Sequence, residues 1–198
     1  MSNELEYNAI MTGASFLFFE FKQVIKLKLD GLTETEIRQK IVSDNIFQYE
    51  KTSSLKRMIP SLLRRVDVLE QSLMSMVLEE PLEVGKIINL YAIMKTDRLF
   101  FEFMNEIIKE KLQANEYFLE KKDLNSYFTY KAEQDESIAN WSQLTVNKLK
   151  QVYLKILLET GLIKDKKSGE LNRLIIDGQV KEHLINIGEK QYLLAMGE

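Results

Sequence analysis

The 198-residue sequence has no cysteine, a single histidine, two prolines and eight glycines. Without cysteine there are no disulfides, no thiol nucleophile and no Cys-ligated metal, and the lone His183 excludes paired-histidine zinc motifs. A Gly-rich phosphate loop and a Gly-x-Ser-x-Gly elbow are also missing. No constellation brings nucleophile, base and orienting group together, so no catalytic residue, metal, cofactor or small-molecule substrate is expected. Long apolar runs are lacking too. Phe16 to Phe19 is stopped by Glu20 and Lys22, far short of the roughly 20 residues a bilayer span needs. Met1 to Met11 carries Glu4 and Glu6 and no basic residue, unlike a secretory signal. A cytoplasmic protein with no membrane partner is expected.

What is present favours helices: abundant Leu, Ile, Lys and Glu with little Pro or Gly. Phe18, Phe21, Ile25 and Leu29 give a first helix from about Ala14 to Leu29, stopped by Gly31. Thr33 and Glu36 form a capping box for a second, Glu34 to Asp44. Leu55 through Leu69 repeat at steps of three and four, giving a third helix that Pro60 should kink near Met58 or split. Pro81 opens a helix ending near Lys95, and Thr96 or Asp97 caps the next, to about Gln113. Asp123 to Glu136 is a weaker helix. Thr145 caps a strong one ended by Gly161. Leu162 to Asp165 and Glu170 to Ile176 then read as two strands around Lys166 to Gly169, followed by a last helix, Gln179 to Ile187. The fold class expected is mainly α: a multi-helix bundle with an N-terminal helix-turn-helix-like element and a C-terminal winged-helix-like element with a small β-hairpin. Its regions are 1–75 (N-terminal, helix-turn-helix-like), 76–140 (central helical hairpin and linker) and 141–198 (C-terminal, winged-helix-like).

The net charge of -3 gives no overall attraction to polyanions, but the charge is segregated. Residues 51–65 carry Lys51, Lys56, Arg57, Arg64 and Arg65 with no acid, for +5. Residues 145–167 carry Lys148, Lys150, Lys155, Lys164, Lys166 and Lys167 against Glu159 and Asp165, for +4, leaving the remainder at -12. The first strip sits on the second of two consecutive helices, where a helix-turn-helix presents its recognition helix, with Arg57, Ser61 and Arg64 on one exposed face. The second covers a helix and its hairpin, and Lys166, Lys167 and Arg173 can lie along a phosphate backbone. The candidate DNA-binding residues are therefore Lys51, Lys56, Arg57, Arg64, Arg65, Lys148, Lys150, Lys166, Lys167 and Arg173. The competing reading is a solvated basic face. His183 reads as structural. Glu102, Glu106 and Glu110 read as an exposed face paired with Lys109, and the phenylalanine clusters as core rather than platforms for bases.

Three segments, Tyr7 to Phe21 (YNAIMTGASFLFFEF), Asn89 to Phe103 (NLYAIMKTDRLFFEF) and Trp141 to Leu162 (WSQLTVNKLKQVYLKILLETGL), resemble the BrxA family, with Met94 to Phe101 the strongest element. That family is a small component of BREX (bacteriophage exclusion) defence systems, formerly a domain of unknown function sometimes given an inner-membrane label that the absent span argues against. The resemblance implies a mostly helical, non-enzymatic protein, similar to NusB-like bundles and helix-turn-helix elements, that binds double-stranded DNA beside other BREX proteins. It supplies no catalytic motif and no contact residues. For Lys95, Asp97 and Arg98 a buried ion pair fixing the turn between two central helices is the favoured role. A protein–protein adaptor and a NusB-like RNA binder are the alternatives.

Overall fold

A computed structural model describes residues 5–198; Met1 to Glu4, the start of the stretch tested for a signal, fall outside the described residues. The chain is mainly helical. Helix α1 (Phe18–Leu29) begins four residues later than the apolar spacing predicts. Residues 14–17 run irregularly into Leu17, which adopts a left-handed φ of 48°, because the carbonyls of Ala14 and Phe16 accept side-chain hydrogen bonds instead of helical ones. Helix α2 (Glu34–Ser43) opens with the expected box: Thr33 N donates to Glu36 Oε2 at 2.8 Å, and Glu36 N to Thr33 Oγ1 at 3.3 Å. Helix α3 (Thr52–Asp67) continues through Pro60 without splitting. Its apolar face, including Leu55, Ile59, Leu62 and Val66, is buried against α1, α2 and later α5, and this packing offsets the cost of about 3 kcal/mol of an interior proline.

Helix α4 (Gln71–Glu79), which the sequence reading passes over, buries Leu73, Met74 and Val77. Helix α5 (Leu82–Thr96), with Pro81 at its N-cap, is the axis of the molecule. Every residue from Ile87 to Met94 is buried, and α5 touches α1, α3, α4 and three later helices; a helix apolar on all sides belongs in the interior. Asp97 caps α6 (Arg98–Phe103) by accepting from Phe100 N at 2.8 Å. A wide π turn, Met104–Ile108, then leads into α7 (Lys109–Gln113).

Helices α8 (Lys121–Gln134) and α9 (Glu136–Ala139) precede α10 (Gln143–Thr160). Ser142, not Thr145, caps α10, and Gly161 ends it at φ 81°. Phe100, Phe103, Phe128 and Tyr153 pack ring against ring in the core. The expected hairpin does not form as strands: residues 162–176 show only the isolated bridge Ile163–Leu171, with a second bridge from Glu170 to Phe118. The Asp165 carboxylate builds the intervening turn by accepting from Lys167 N and Ser168 N, each at 2.8 Å. Gly169 holds φ 66° directly over the Leu119 carbonyl, which a Cβ would meet at 2.1 Å. The turn is therefore pressed onto the segment before α8 rather than extended as a free ribbon. Helices α11 (Gly178–Asn186) and α12 (Lys190–Ala195) complete the chain.

Candidate nucleic-acid interface

The two basic strips meet across a ridge formed by the 3-10 turn Ile10–Gly13 and the irregular residues up to Leu17. The turn packs against both α3 and α10. The ridge is fastened from below. Arg65, only 2% exposed, donates through Nη2 to Ala14 O at 2.7 Å and through Nη1 to Phe16 O at 3.1 Å. Asn89 Nδ2 adds a 2.7 Å bond to Phe16 O. Burial draws the Arg65 guanidinium down to about 10. Burial likewise pushes the Asp97 carboxyl up to about 6, with its bond from Phe100 N and the charges of Arg65 and Arg64 pulling the other way. These are interior groups that shape backbone.

Two grooves flank the ridge. The first, about 510 Å³, is lined by Arg57 from α3, Lys148, Gln151 and Lys155 from α10, Lys166 from the following turn, and the residues Thr12, Ser15 and Ser54, the Thr12 hydroxyl donating to Ala9 O at 2.8 Å. The second, about 690 Å³, lies between Arg38, Lys56, Arg57 and Arg64, with Ile10 and Pro60 as apolar lining. Both include Thr12, Gly13 and Arg57, so the grooves are neighbours divided at Arg57. No carboxylate lines either one. Among the described residues Lys56, Arg57, Lys148 and Lys166 engage in no ion pair. Arg38 is paired with Glu34 at 2.6 Å and Lys155 with Glu159 at 3.5 Å; both are i, i+4 surface pairs of the kind worth about 0.5 kcal/mol.

The candidate residues separate into three groups. Lys56, Arg57, Arg64, Lys148 and Lys166 line the grooves; Lys51, just before α3, and Lys167, in the turn, are exposed. Arg65 departs from the expected role, because its guanidinium is buried and committed to two carbonyls. Lys150 and Arg173 depart as well. Lys150 Nζ donates to Asn125 at 2.8 Å and lies over the Phe128 ring, where burial lowers its pKa. Arg173 donates to Leu112 O at 2.6 Å and to Gly197 O at 3.4 Å, tying distant segments together. Ser61, placed by spacing on an exposed face, is buried. Two parts of the site escape a reading of charge runs: Arg38, whose net-neutral helix hides it, and the ridge residues Thr12 and Ser15, which carry no charge signal.

The acidic ladder is also placed differently from the expectation. Glu102 and Glu106 turn toward the buried Lys131, whose Nζ lies 2.6 and 2.7 Å from them, while Lys109 bonds Asn105. Arg98 and Tyr7 add hydrogen bonds to Glu102, and these bonds together with Lys131 hold its carboxyl below the usual range despite burial. His183 ties α11 to the start of α4, 3.3 Å from Glu70 and 3.4 Å from Ser72. Among the described residues no helix is long and apolar enough to cross a membrane.

The sequence profile of the BrxA family matches residues 5–188. The chain belongs to the BrxA family. A BrxA relative from Bacillus cereus (strain H3081.97), named "BREX protein BrxA", is 40% identical over 200 residues, covering 100% of each chain. A second BrxA protein with the same name, from Paramagnetospirillum magneticum (strain ATCC 700264 / AMB-1), is 26% identical over 191 residues and 96% of each chain. Among solved structures, an uncharacterized protein from Magnetospirillum magneticum superposes with a TM-score of 0.84 at 26% identity, covering 97% of this chain and 98% of its own. The BrxA fold is thus shared along almost the whole length.

Proposed function

We propose that the protein is a non-enzymatic, double-stranded-DNA-binding component of a BREX system, holding the phosphate backbone in the two grooves beside Arg57. The supporting observation is convergence: strips about ninety residues apart in sequence face the same ridge, and no carboxylate lines the space between them. Cations gathered in a concave surface concentrate potential there despite a net negative body. The serines Ser15 and Ser54 and basic side chains without ion pairs suit phosphate oxygens more than base edges, so binding is sequence-tolerant. In this reading α2 and α3 act as a helix-turn-helix-like pair, although the eight residues between them exceed the usual turn of about three or four. The turn carrying Lys166 and Lys167 serves as a short wing after α10. Membership of the family supports other BREX proteins as partners.

The test is association with a generic duplex as salt is varied. Seven groove cations, Arg38, Lys56, Arg57, Arg64, Lys148, Lys155 and Lys166, give a slope of log affinity against log salt of about -6. Salt-independent association, or none at low salt, removes the proposal. A second reading, an adaptor for a larger protein, draws on the exposed apolar side chains of Ile175 (95%) and Leu144 (80%). It predicts that replacing those two abolishes capture of a BREX partner while duplex binding is absent or unaffected. Preference for RNA over duplex DNA in direct competition would favour a NusB-like role instead.

A further inference from the structure

We infer that Gly13 is a positioning residue for the phosphate-binding surface: its missing side chain lets Arg57 lie across the ridge and place its guanidinium where the two grooves meet. The inference rests on the duplex-binding reading and adds to it a residue without charge. A Cβ built on Gly13 would stand 2.9 Å from Arg57 Cδ, 3.0 Å from Cγ and 3.6 Å from Nε. The near atoms belong to the middle of the arginine stem, so turning the tip away does not relieve the overlap. Glycine is not required there by backbone conformation, because Gly13 is absent from the glycines with positive φ; the requirement is for space.

The clash has one direction in which to resolve. The chain after Gly13 is anchored by Arg65 and Asn89, which hold the carbonyls of Ala14 and Phe16 from the interior. Withdrawing the ridge would break three buried hydrogen bonds, whereas Arg57 is an exposed side chain without an ion pair among the described residues. A side chain at position 13 therefore displaces Arg57. It also divides the track, since Gly13 and Arg57 line both grooves. The ligand class is a phosphodiester backbone running from the groove containing Ser15 and Ser54 past Arg57 to the groove containing Ile10 and Pro60.

The experiment is a double-mutant cycle with Gly13→Ala, Arg57→Ala and the double variant, each titrated against the same generic duplex across a range of salt. Arg57→Ala removes one phosphate contact, lowering affinity about fivefold and making the salt slope shallower by about one. Gly13→Ala is expected to do the same at an unchanged melting temperature. The double variant is expected to match Arg57→Ala, because truncating the arginine stem leaves nothing to displace. If Gly13→Ala lowers the melting temperature, the double variant must recover it for the same reason. Multiplying losses, an unaltered slope in Gly13→Ala, or a melting deficit that persists in the double variant overturns the inference while leaving duplex binding intact. A wild-type protein that shows no salt-dependent duplex binding overturns both.

Discussion

Arg64 and Arg65 are neighbours on α3 and opposites in the fold. Arg64 is exposed beside the second groove, while Arg65 is sealed inside, holding up the ridge that forms the groove wall. The same contrast separates the grooves from the cluster around Lys131, where one buried ammonium meets two carboxylates. A cation compensated in the interior is structural, because a polyanion would have to displace its buried partner; one facing solvent, unpaired or held only by a weak surface pair, is available to phosphate. Charge counts do not distinguish these fates. Pairing and burial do.

The sharpest way to break the comparison is to delete an interior cation. Lys131→Ala takes the ammonium from Glu106 and leaves Glu102 with Arg98 and Tyr7 alone, and denaturant unfolding should show a loss of about 3 kcal/mol with duplex affinity per folded molecule unchanged. Next in size is removal of exposed cations. The combination Arg57→Ala, Lys148→Ala and Lys166→Ala should make the salt slope shallower by about three and lower affinity about a hundredfold in anisotropy titrations, with the unfolding midpoint hardly moved.

A pH series tests the interior more finely. Asp97 titrates at about 6 in the fold against an ordinary 3.8. Between those values the native state holds a proton that the unfolded chain has released, so this group's contribution to stability falls as pH rises from about 4 to about 6. Asp97→Asn has no such titration, and its melting temperature relative to wild type should climb across that window; a constant difference would contradict the assignment. The smallest effect belongs to cations outside the grooves. Lys150→Ala and Arg173→Ala should each leave duplex affinity within about twofold, because their head groups are engaged by Asn125 and by backbone carbonyls.

Much of the helical frame is legible in the sequence because local chemistry specifies it. Thr33 and Glu36 cap α2 whatever surrounds them, Pro81 marks the start of α5, and Gly161 supplies the left-handed stop of α10. Helix α4 carries Leu73, Met74 and Val77 at helical spacing, a signal overshadowed by the stronger helices on either side. The expected strands after Gly161 reflect β-favouring residues whose partners turn out to be the segment at Tyr117 to Leu119 as much as each other. The candidate site is half legible. Both strips stand out as charge runs, but their meeting depends on residues 10–17 wedging between α3 and α10, a long-range packing that periodicity does not contain. The divergence of Arg64 from Arg65 follows the turn of about 100° between adjacent helical positions, and Ser61 lies on the buried side of that same helix. Nothing local marks Arg173 as a tie between two carbonyls.

Lysine reactivity toward an amine-modifying reagent, mapped by mass spectrometry with and without a generic duplex, tests the division between groove and interior directly. Duplex should protect Lys56, Lys148, Lys155 and Lys166, leave exposed lysines outside the grooves such as Lys26 and Lys121 as reactive as before, and change nothing at the already shielded Lys131. Protection spread evenly over the surface, or centred on Lys26 and Lys121, would contradict the account.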